Sequence, residues 1–524
     1  MNRVQIVGAG LAGMSAAITL AEENIEVNLF SLQASERAQS VLAEGGINAA
    51  LDTMGDNDSV SDHYADTMRG GCDLADPVAV KALTEHAPEV VRNLEKLGVP
   101  FEKKRGDIVL RYFGGQKKRR TAYVKSSTGK ALVTALADEC RKYEAKGLIH
   151  RYANHSFSKL LMKDNVCFGV VIRNIYDQKE ESFFGPVILA CGGLNGVFPN
   201  WTTGTTQNSG LIAASVFSQG VEMANLEMIQ YHPTTIAIPD KRCLISEAAR
   251  AEGGRLYIEK DKKRSYFMEE KYPELKNLMP RDVVSREMFF EMRKYHQPVY
   301  LDMTGISEEV WQKRLPDLRD EIIYYTGKDP KEYPIEVAPG IHYFMGGIKV
   351  DADHRSSLKG LYAAGECACQ YHGANRLGGN SLLGAIFGGK TAAKTLQCDQ
   401  KSGKISDNDT CAVNKTVTEC DPLDATPDEI RKIADILLQC MGIVRNEEEL
   451  EEGLAALREL KEDTGNLSIP FMNRIRLAEA MIMSAIERRE SRGAHYRSDC
   501  TERLDKYQKP ATACYVNGEI RISF

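Results

Sequence analysis

Val4-Gln5-Ile6-Val7-Gly8-Ala9-Gly10-Leu11-Ala12-Gly13 opens the chain with an apolar run, a glycine turn and the start of a helix. Val4 to Val7 reads as a buried strand, Met14 to Glu23 as the helix and Val27-Asn28-Leu29-Phe30 as a second strand. A strand before G-x-G-x-x-G and a helix after it make the βαβ opening of a dinucleotide-binding fold. Gly8 permits the tight turn, Gly10 lets a pyrophosphate approach, and Gly13 lets helix and strand pack closely. Ala9, Leu11 and Ala12 complete the loop. An acid usually ends the second strand and bonds a ribose hydroxyl; here that residue is Ser31.

Further strands of the same type lie far along the chain. Pro186-Val187-Ile188-Leu189-Ala190-Cys191-Gly192-Gly193 is one and Gly360-Leu361-Tyr362-Ala363-Ala364-Gly365-Glu366 another. Their separation predicts one nucleotide-binding domain interrupted by an inserted lobe. The expected α/β architecture is a Rossmann-like domain in two parts, residues 1–233 and 344–405, with an α+β capping domain at 234–343. Residues 406–524 are expected to form a C-terminal helical bundle. Within it, helical periodicity over 428–492 breaks near Asn446 and from Thr464 to Pro470, and the polar run Lys401 to Pro427 reads as a linker.

A chain of 524 residues is too long for one core. Its net charge of −6 gives no nucleic-acid footprint. No apolar run approaches membrane-spanning length, and no leader precedes the first strand, so a cytoplasmic protein is expected, at most peripheral to a membrane through a partner. Thirteen cysteines include no C-x-x-C pair, so neither a metal, a haem nor an iron–sulfur cluster is expected in this chain. Two-electron chemistry would need an organic cofactor, and one-electron transfer a partner protein.

The run His372-Gly373-Ala374-Asn375-Arg376-Leu377-Gly378-Gly379-Asn380-Ser381-Leu382-Leu383 puts a fixed cation before a glycine turn and a helix start. Helix N-termini offer free N–H groups to an anion, and a guanidinium grips a carboxylate with two parallel bonds. This run resembles the loop of the succinate dehydrogenase/fumarate reductase flavoprotein family. So does the stretch from Leu29 through Gln39-Ser40-Val41-Leu42-Ala43-Glu44-Gly45-Gly46-Ile47-Asn48, and so does Glu490-Ser491-Arg492-Gly493-Ala494-His495.

The resemblance implies an FAD-dependent oxidoreductase acting on a C4-dicarboxylate, fumarate or succinate. It implies flavin contacts from Ser31, Gln39, Ser40, Glu44, Gly45, Gly46, Glu366, Arg376, Ser381 and Leu382, besides the loop Gly8 to Gly13. It implies carboxylate binding by His232, Ser246, His342 and Arg376, and proton delivery by Arg286 through a relay of Glu247 and Arg250. The last two stand i, i+3, on one helix face. For His495 it implies a structural role.

Three departures stand out. Gln39-Ser40 replaces the His-Thr of respiratory relatives, whose histidine bonds covalently to the flavin, so non-covalent FAD and fumarate reduction are expected. Ser209 replaces an aspartate, and Ser246 a threonine. The short tail after His495 weakens the expectation of a standard membrane complex, although an electron-donor protein or iron–sulfur subunit stays possible. L-aspartate oxidase is the alternative activity, but Tyr123 to Gly129 lacks the acid that would recognise its amine. A non-catalytic flavoprotein redox sensor is the other alternative. The basic stretches Lys103-Lys104-Arg105 and Lys117-Lys118-Arg119-Arg120 read as a solvated face before a docking patch.

Overall fold

The computed structural model describes residues 3–239, 241–405, 422–463 and 467–524. Of the sequence expectations, the middle of the linker (406–421) and part of the helix break (464–466) lie outside the described residues.

Val4–Val7 is the centre of a five-stranded parallel sheet in the order Leu361–Ala363, Val187–Leu189, Val4–Val7, Val27–Ser31, Ile149–Ala153. Helices Leu11–Glu22, Thr128–Glu144 and Asn380–Lys401 cover one face and the antiparallel sheet of His155–Lys163, Val166–Asn174 and Glu180–Phe184 covers the other, so the central strands are buried on both sides. Helix Leu11–Glu22 packs against helix Asn380–Lys401. The contact is so close that a Cβ on Gly389 would stand 2.1 Å from the Ala12 carbonyl oxygen. Both helices begin at the same end of the sheet, the carboxyl ends of its strands, where open α/β folds bind ligands.

Between the strands at 187–189 and 361–363 the chain builds a second layer. Six antiparallel strands run in the order Lys241–Leu244, Ile229–Ile238, Ile335–Phe344, Val299–Asp302, Arg255–Lys260, Lys263–Ser265. Helices Glu247–Ala251, Arg281–Tyr295, Glu308–Arg314 and Pro316–Thr326 accompany it. Leu256, Leu301, Trp311, Ile335 and Val337 form its own buried core. Strands Ile229–Ile238 and Ile335–Phe344 pair with each other as they lead into and out of this lobe, and both carry site histidines.

Helices Pro427–Cys440, Glu447–Asp463 and Ile469–Glu487 pack together near the C-terminus. Thr426 starts the first with a capping box: its hydroxyl accepts the Glu429 N–H while the Glu429 carboxylate accepts its own. The expected helical region does not extend to the end of the chain. Thr512–Val516 and Glu519–Ser523 form a hairpin around Asn517-Gly518, and it adds to a sheet beside Met223–Ala224. Both turn residues have positive φ, +54° and +86°, as a two-residue Asn-Gly hairpin demands. Asn-Gly between two short strand-like runs is the signal that the periodicity of the helices overshadows.

Candidate active site

A cavity of about 480 Å³ runs from the first glycine loop to the junction between the two sheets. At one end lie Gly8 to Ala12, Ser31, Gln39, Ser40, Glu44, Gly45 and Gly46; at the other lie His232, Ser246, Glu247, Arg281, His342 and Arg376. Glu366, Ser381 and Leu382 line the cavity as well. Residues more than 340 positions apart in the sequence therefore share one wall.

The first end is shaped for a dinucleotide. Gly8 has φ +112°, and a Cβ there would stand 2.1 Å from the Ala190 carbonyl oxygen. A Cβ on Gly13 would stand 1.8 Å from the Gly8 carbonyl oxygen, so only glycine lets the helix meet the strand. Helix Leu11–Glu22 and helix Asn380–Lys401 both start after glycine, at Gly10 and Gly379, and neither has a side-chain cap. The Leu11 N–H reaches Ser40 Oγ at 3.5 Å and the Asn380 N–H the Leu377 carbonyl at 3.2 Å; the N–H groups that follow in each first turn remain available for an anion, which fits a pyrophosphate and a flavin carbonyl. Ser31 spends its hydroxyl locally, donating to the Gln33 carbonyl at 2.6 Å. Gln39 Oε1 accepts from the Thr205 N–H at 2.5 Å. Glu366 accepts from the Phe344 N–H at 3.1 Å, and burial pushes its carboxyl up to about 7. Burial and the nearby Glu321 carboxylate push Glu44 up too, and its Oε2 has no partner. Ser209 Oγ accepts from the Leu211 N–H at 3.3 Å.

The second end concentrates cations. Glu247 opens a short helix capped by Ser246, whose hydroxyl accepts from the Ala248 N–H. Its carboxylate accepts two bonds from Arg281, at 2.6 and 2.9 Å, and one from the Gly114 N–H at 2.6 Å. Arg250 lies 3.7 Å from the other oxygen. Burial alone would raise the Glu247 carboxyl, but the Arg281 and Arg250 guanidinium groups outweigh it and hold it at about 2. Arg376 lies over the Tyr343 ring at 4.4 Å, and its Nε has no partner. Burial and the neighbouring Arg281 pull Arg376 down to about 9. His232 and His342 stand 5.1 Å apart, ring to ring. Burial first, then the Arg281 charge, pushes both imidazoles well below their ordinary range, so both are neutral at pH 7.

Arg286, expected as the proton donor, is not in the cavity. It lies over the Tyr496 ring at 4.9 Å and 3.9 Å from Asp282, one turn back on its own helix. Arg281 stands in the cavity instead. Both belong to helix Arg281–Tyr295, and five residues at about 100° each put their side chains about 140° apart around the axis. The motif Arg281-Asp282-Val283-Val284-Ser285-Arg286 offers two arginines, and spacing alone does not choose between them. Glu247 and Arg250 do share a helix face and are buried with Arg281. Thr203 is a cavity residue that sequence reading missed: its hydroxyl lies 2.7 Å from His342 Nδ1. Nothing in Trp201-Thr202-Thr203-Gly204 marks it out.

Three of the four cations in the second basic stretch form ion pairs. Lys118 meets Asp62 at 2.8 Å, Arg119 pairs with Asp56, and the buried Arg120 meets Asp58 and Asp66 at 2.9 Å each. No helix among the described residues is long and apolar enough to cross a membrane.

Comparison with known proteins agrees with this geometry. Residues 3–382 match the FAD binding domain family, and residues 430–524 match the fumarate reductase flavoprotein C-terminal family. The chain is 35% identical to the succinate dehydrogenase flavoprotein subunit of Bacillus subtilis, over 98% of this chain and 94% of that one. It is 32% identical to L-aspartate oxidase of Pyrococcus furiosus, over 97% and 98% respectively. Among solved structures it superposes on a variant of the E. coli quinol fumarate reductase chain FrdA with a TM-score of 0.86. That match has 29% identity and covers 100% of this chain and 96% of that one. The protein is an FAD-dependent oxidoreductase, and the chain belongs to the succinate dehydrogenase/fumarate reductase flavoprotein family.

Proposed function

We propose that this protein reduces fumarate to succinate with non-covalently bound FAD. The observation that carries the reading is the charge imbalance at the inner end of the cavity. Arg250, Arg281 and Arg376 face one ionised carboxylate, Glu247, which leaves two positive charges in excess. Burying unpaired cations is costly, so the site is poised for a dianion. A C4-dicarboxylate supplies that charge and matches the neutral imidazole donors beside it.

When bound and reduced, FAD supplies a hydride to one olefinic carbon. Arg376, His232, His342 and Ser246 hold the two carboxylates. Arg281 gives its proton to the other carbon. A free arginine is a poor acid. Here Glu247, bonded to it, with Arg250 behind, relays a proton from solvent back to Arg281. Burial holds the Glu44 carboxyl well above its ordinary range, which keeps further negative charge away from the substrate. Gln39 has no imidazole to bond the flavin, and without that bond the flavin potential favours reduction of fumarate over oxidation of succinate. Electrons arrive from a separate carrier, an iron–sulfur subunit by analogy with the flavoprotein subunits this chain is similar to.

The test is to reduce the protein anaerobically with a dye and add fumarate. Fast reoxidation supports the reading, and none overturns it. Denaturation followed by filtration should release all the flavin; flavin retained on the chain would overturn non-covalent binding. One observation favours oxidation of aspartate instead: the unpartnered Glu44 Oε2, which could accept from an ammonium group. Bleaching of the oxidised flavin by aspartate would establish that reading.

A further inference from the structure

We propose that Thr203 is a positioning residue that fixes the tautomer of His342 and so makes it a hydrogen-bond donor to substrate. This rests on the reading that His342 meets a carboxylate.

A neutral imidazole has one N–H, and whichever nitrogen lacks it can only accept. His342 is neutral, so its use to an anion depends on which nitrogen holds the proton. Its Nδ1 lies 2.7 Å from Thr203 Oγ1. Two arrangements satisfy that contact. In one, the Thr203 hydroxyl donates to Nδ1, and Nε2 carries the proton. In the other, Nδ1–H donates to the hydroxyl, which must send its own proton elsewhere.

The neighbours decide between them. The other acceptor within reach of the Thr203 hydroxyl is the Ile341 carbonyl oxygen, at 3.5 Å. That distance is the limit of a hydrogen bond, and the same oxygen already accepts from the Thr203 N–H at 2.9 Å. The first arrangement is therefore favoured: Thr203 O–H to Nδ1, and a proton on Nε2. The Ile341 carbonyl holds Thr203 in place through its backbone, and the hydroxyl is left free to set the ring. Nε2 makes no hydrogen bond to the described residues and belongs to a side chain lining the cavity. It faces the substrate as a donor.

His232 lacks such a lock. Its Nδ1 lies 3.3 Å from both the Thr234 N–H nitrogen and the Thr234 carbonyl oxygen, so it can accept from one or donate to the other. The Thr234 hydroxyl lies 3.4 Å from the same Nδ1 but donates its proton to the Ile245 carbonyl at 2.9 Å, so towards the ring it can only accept. The two histidines are thus unequal: one is set before substrate arrives, and the other adjusts to it.

The experiment uses FAD-loaded protein with Thr203→Val, which removes the hydroxyl at nearly constant volume, and Thr203→Ser, which restores it. Thr203→Ala repeats the deletion if valine crowds the site. Nitrogen-15 shifts of the His342 ring are read without substrate, and malonate, a non-reacting dicarboxylate, is titrated by flavin absorbance. The wild type and Thr203→Ser should show a single Nε2–H form. Thr203→Val should show mixed tautomers and roughly tenfold weaker malonate binding. The KM for fumarate should rise more than kcat falls, with FAD content and unfolding midpoint unchanged. An Nδ1–H ring in the wild type, or unaltered shifts and affinity in Thr203→Val, would overturn the proposal. If wild-type protein does not bind malonate, the dicarboxylate reading fails, while the ring shifts still decide what Thr203 does.

Discussion

Two clusters of buried arginine lie in this protein, and they are built on opposite principles. In the C-terminal region Arg445, Arg488, Arg492 and Arg497 are almost wholly buried. Arg488 meets Glu227 at 2.6 Å and Glu490 at 3.1 Å, and Arg492 meets Glu490 at 2.7 Å. Arg497 meets Asp499 at 2.6 Å, and Arg445 donates to His495 Nδ1 at 2.9 Å and to the Glu227 carbonyl. Carboxylates and carbonyls answer these charges within the chain. His495 donates its Nε2 proton to the Arg488 carbonyl at 3.0 Å, so its contacts are those of a structural residue. At the inner end of the cavity, Arg376 has an aromatic ring and an unpartnered Nε instead. A matched cluster holds segments together; an unmatched one holds a ligand.

The contrast can be broken most severely at Arg281. Arg281→Ala should lower fumarate turnover by about 10²–10⁴-fold, the usual range for losing a general acid. Arg286→Ala should stay within a few-fold of wild type. Steady-state rates of the two variants compare the two sides of one helix directly, and the reverse order would return the proton donor to Arg286.

The next effect belongs to the matched cluster. Arg488→Ala strands Glu227 in the interior, while Glu490 keeps Arg492, and should cost about 3–5 kcal/mol of stability. Urea unfolding measures it, and the protein that remains folded should keep its KM for fumarate. Arg376→Met tests the other cluster by the same measurement. It removes a buried cation with no carboxylate partner, so stability should hold or rise while dicarboxylate binding is lost. A large loss of stability in Arg376→Met would erase the distinction between the clusters.

The smallest effect is a slope with pH. Glu366 titrates at about 7 in the folded chain, above the value of about 4.3 for a free glutamate. The folded state therefore holds this proton more tightly. Its contribution is complete below about pH 4.3 and is lost as pH rises through 7. Glu247 acts oppositely: held at about 2, it stabilises above about pH 4.3 and loses that contribution as pH falls towards 2. In FAD-free protein, urea midpoints between pH 5 and 8 should decline more steeply for wild type than for Glu366→Gln. Equal slopes would mean that burial does not perturb Glu366.

Much of this architecture is legible in the sequence. Gly8 and Gly13 make contacts that no side chain tolerates, and with Gly10 between them their spacing from a strand to a helix specifies the dinucleotide loop by itself. His232, Ser246, Glu247, His342 and Arg376 all reach the cavity, with Arg250 behind Glu247, because each sits in a short segment whose neighbours fix its local shape. The C-terminal hairpin is legible too, in Asn517-Gly518, but five-residue strands carry a weak periodic signal beside three strong helices.

What the sequence by itself determined is the βαβ opening, the two-part sheet with its inserted lobe, the cofactor class and most of the chemical groups at the site. Only the tertiary structure decided that Arg281 and not Arg286 faces the cavity, that Thr203 touches His342, and that Lys118, Arg119 and Arg120 are spent on aspartates. The reason is physical. A motif fixes local backbone geometry over a few residues. Which face of a helix looks inward, and which distant hydroxyl meets a given ring, follow from packing between segments that lie far apart along the chain.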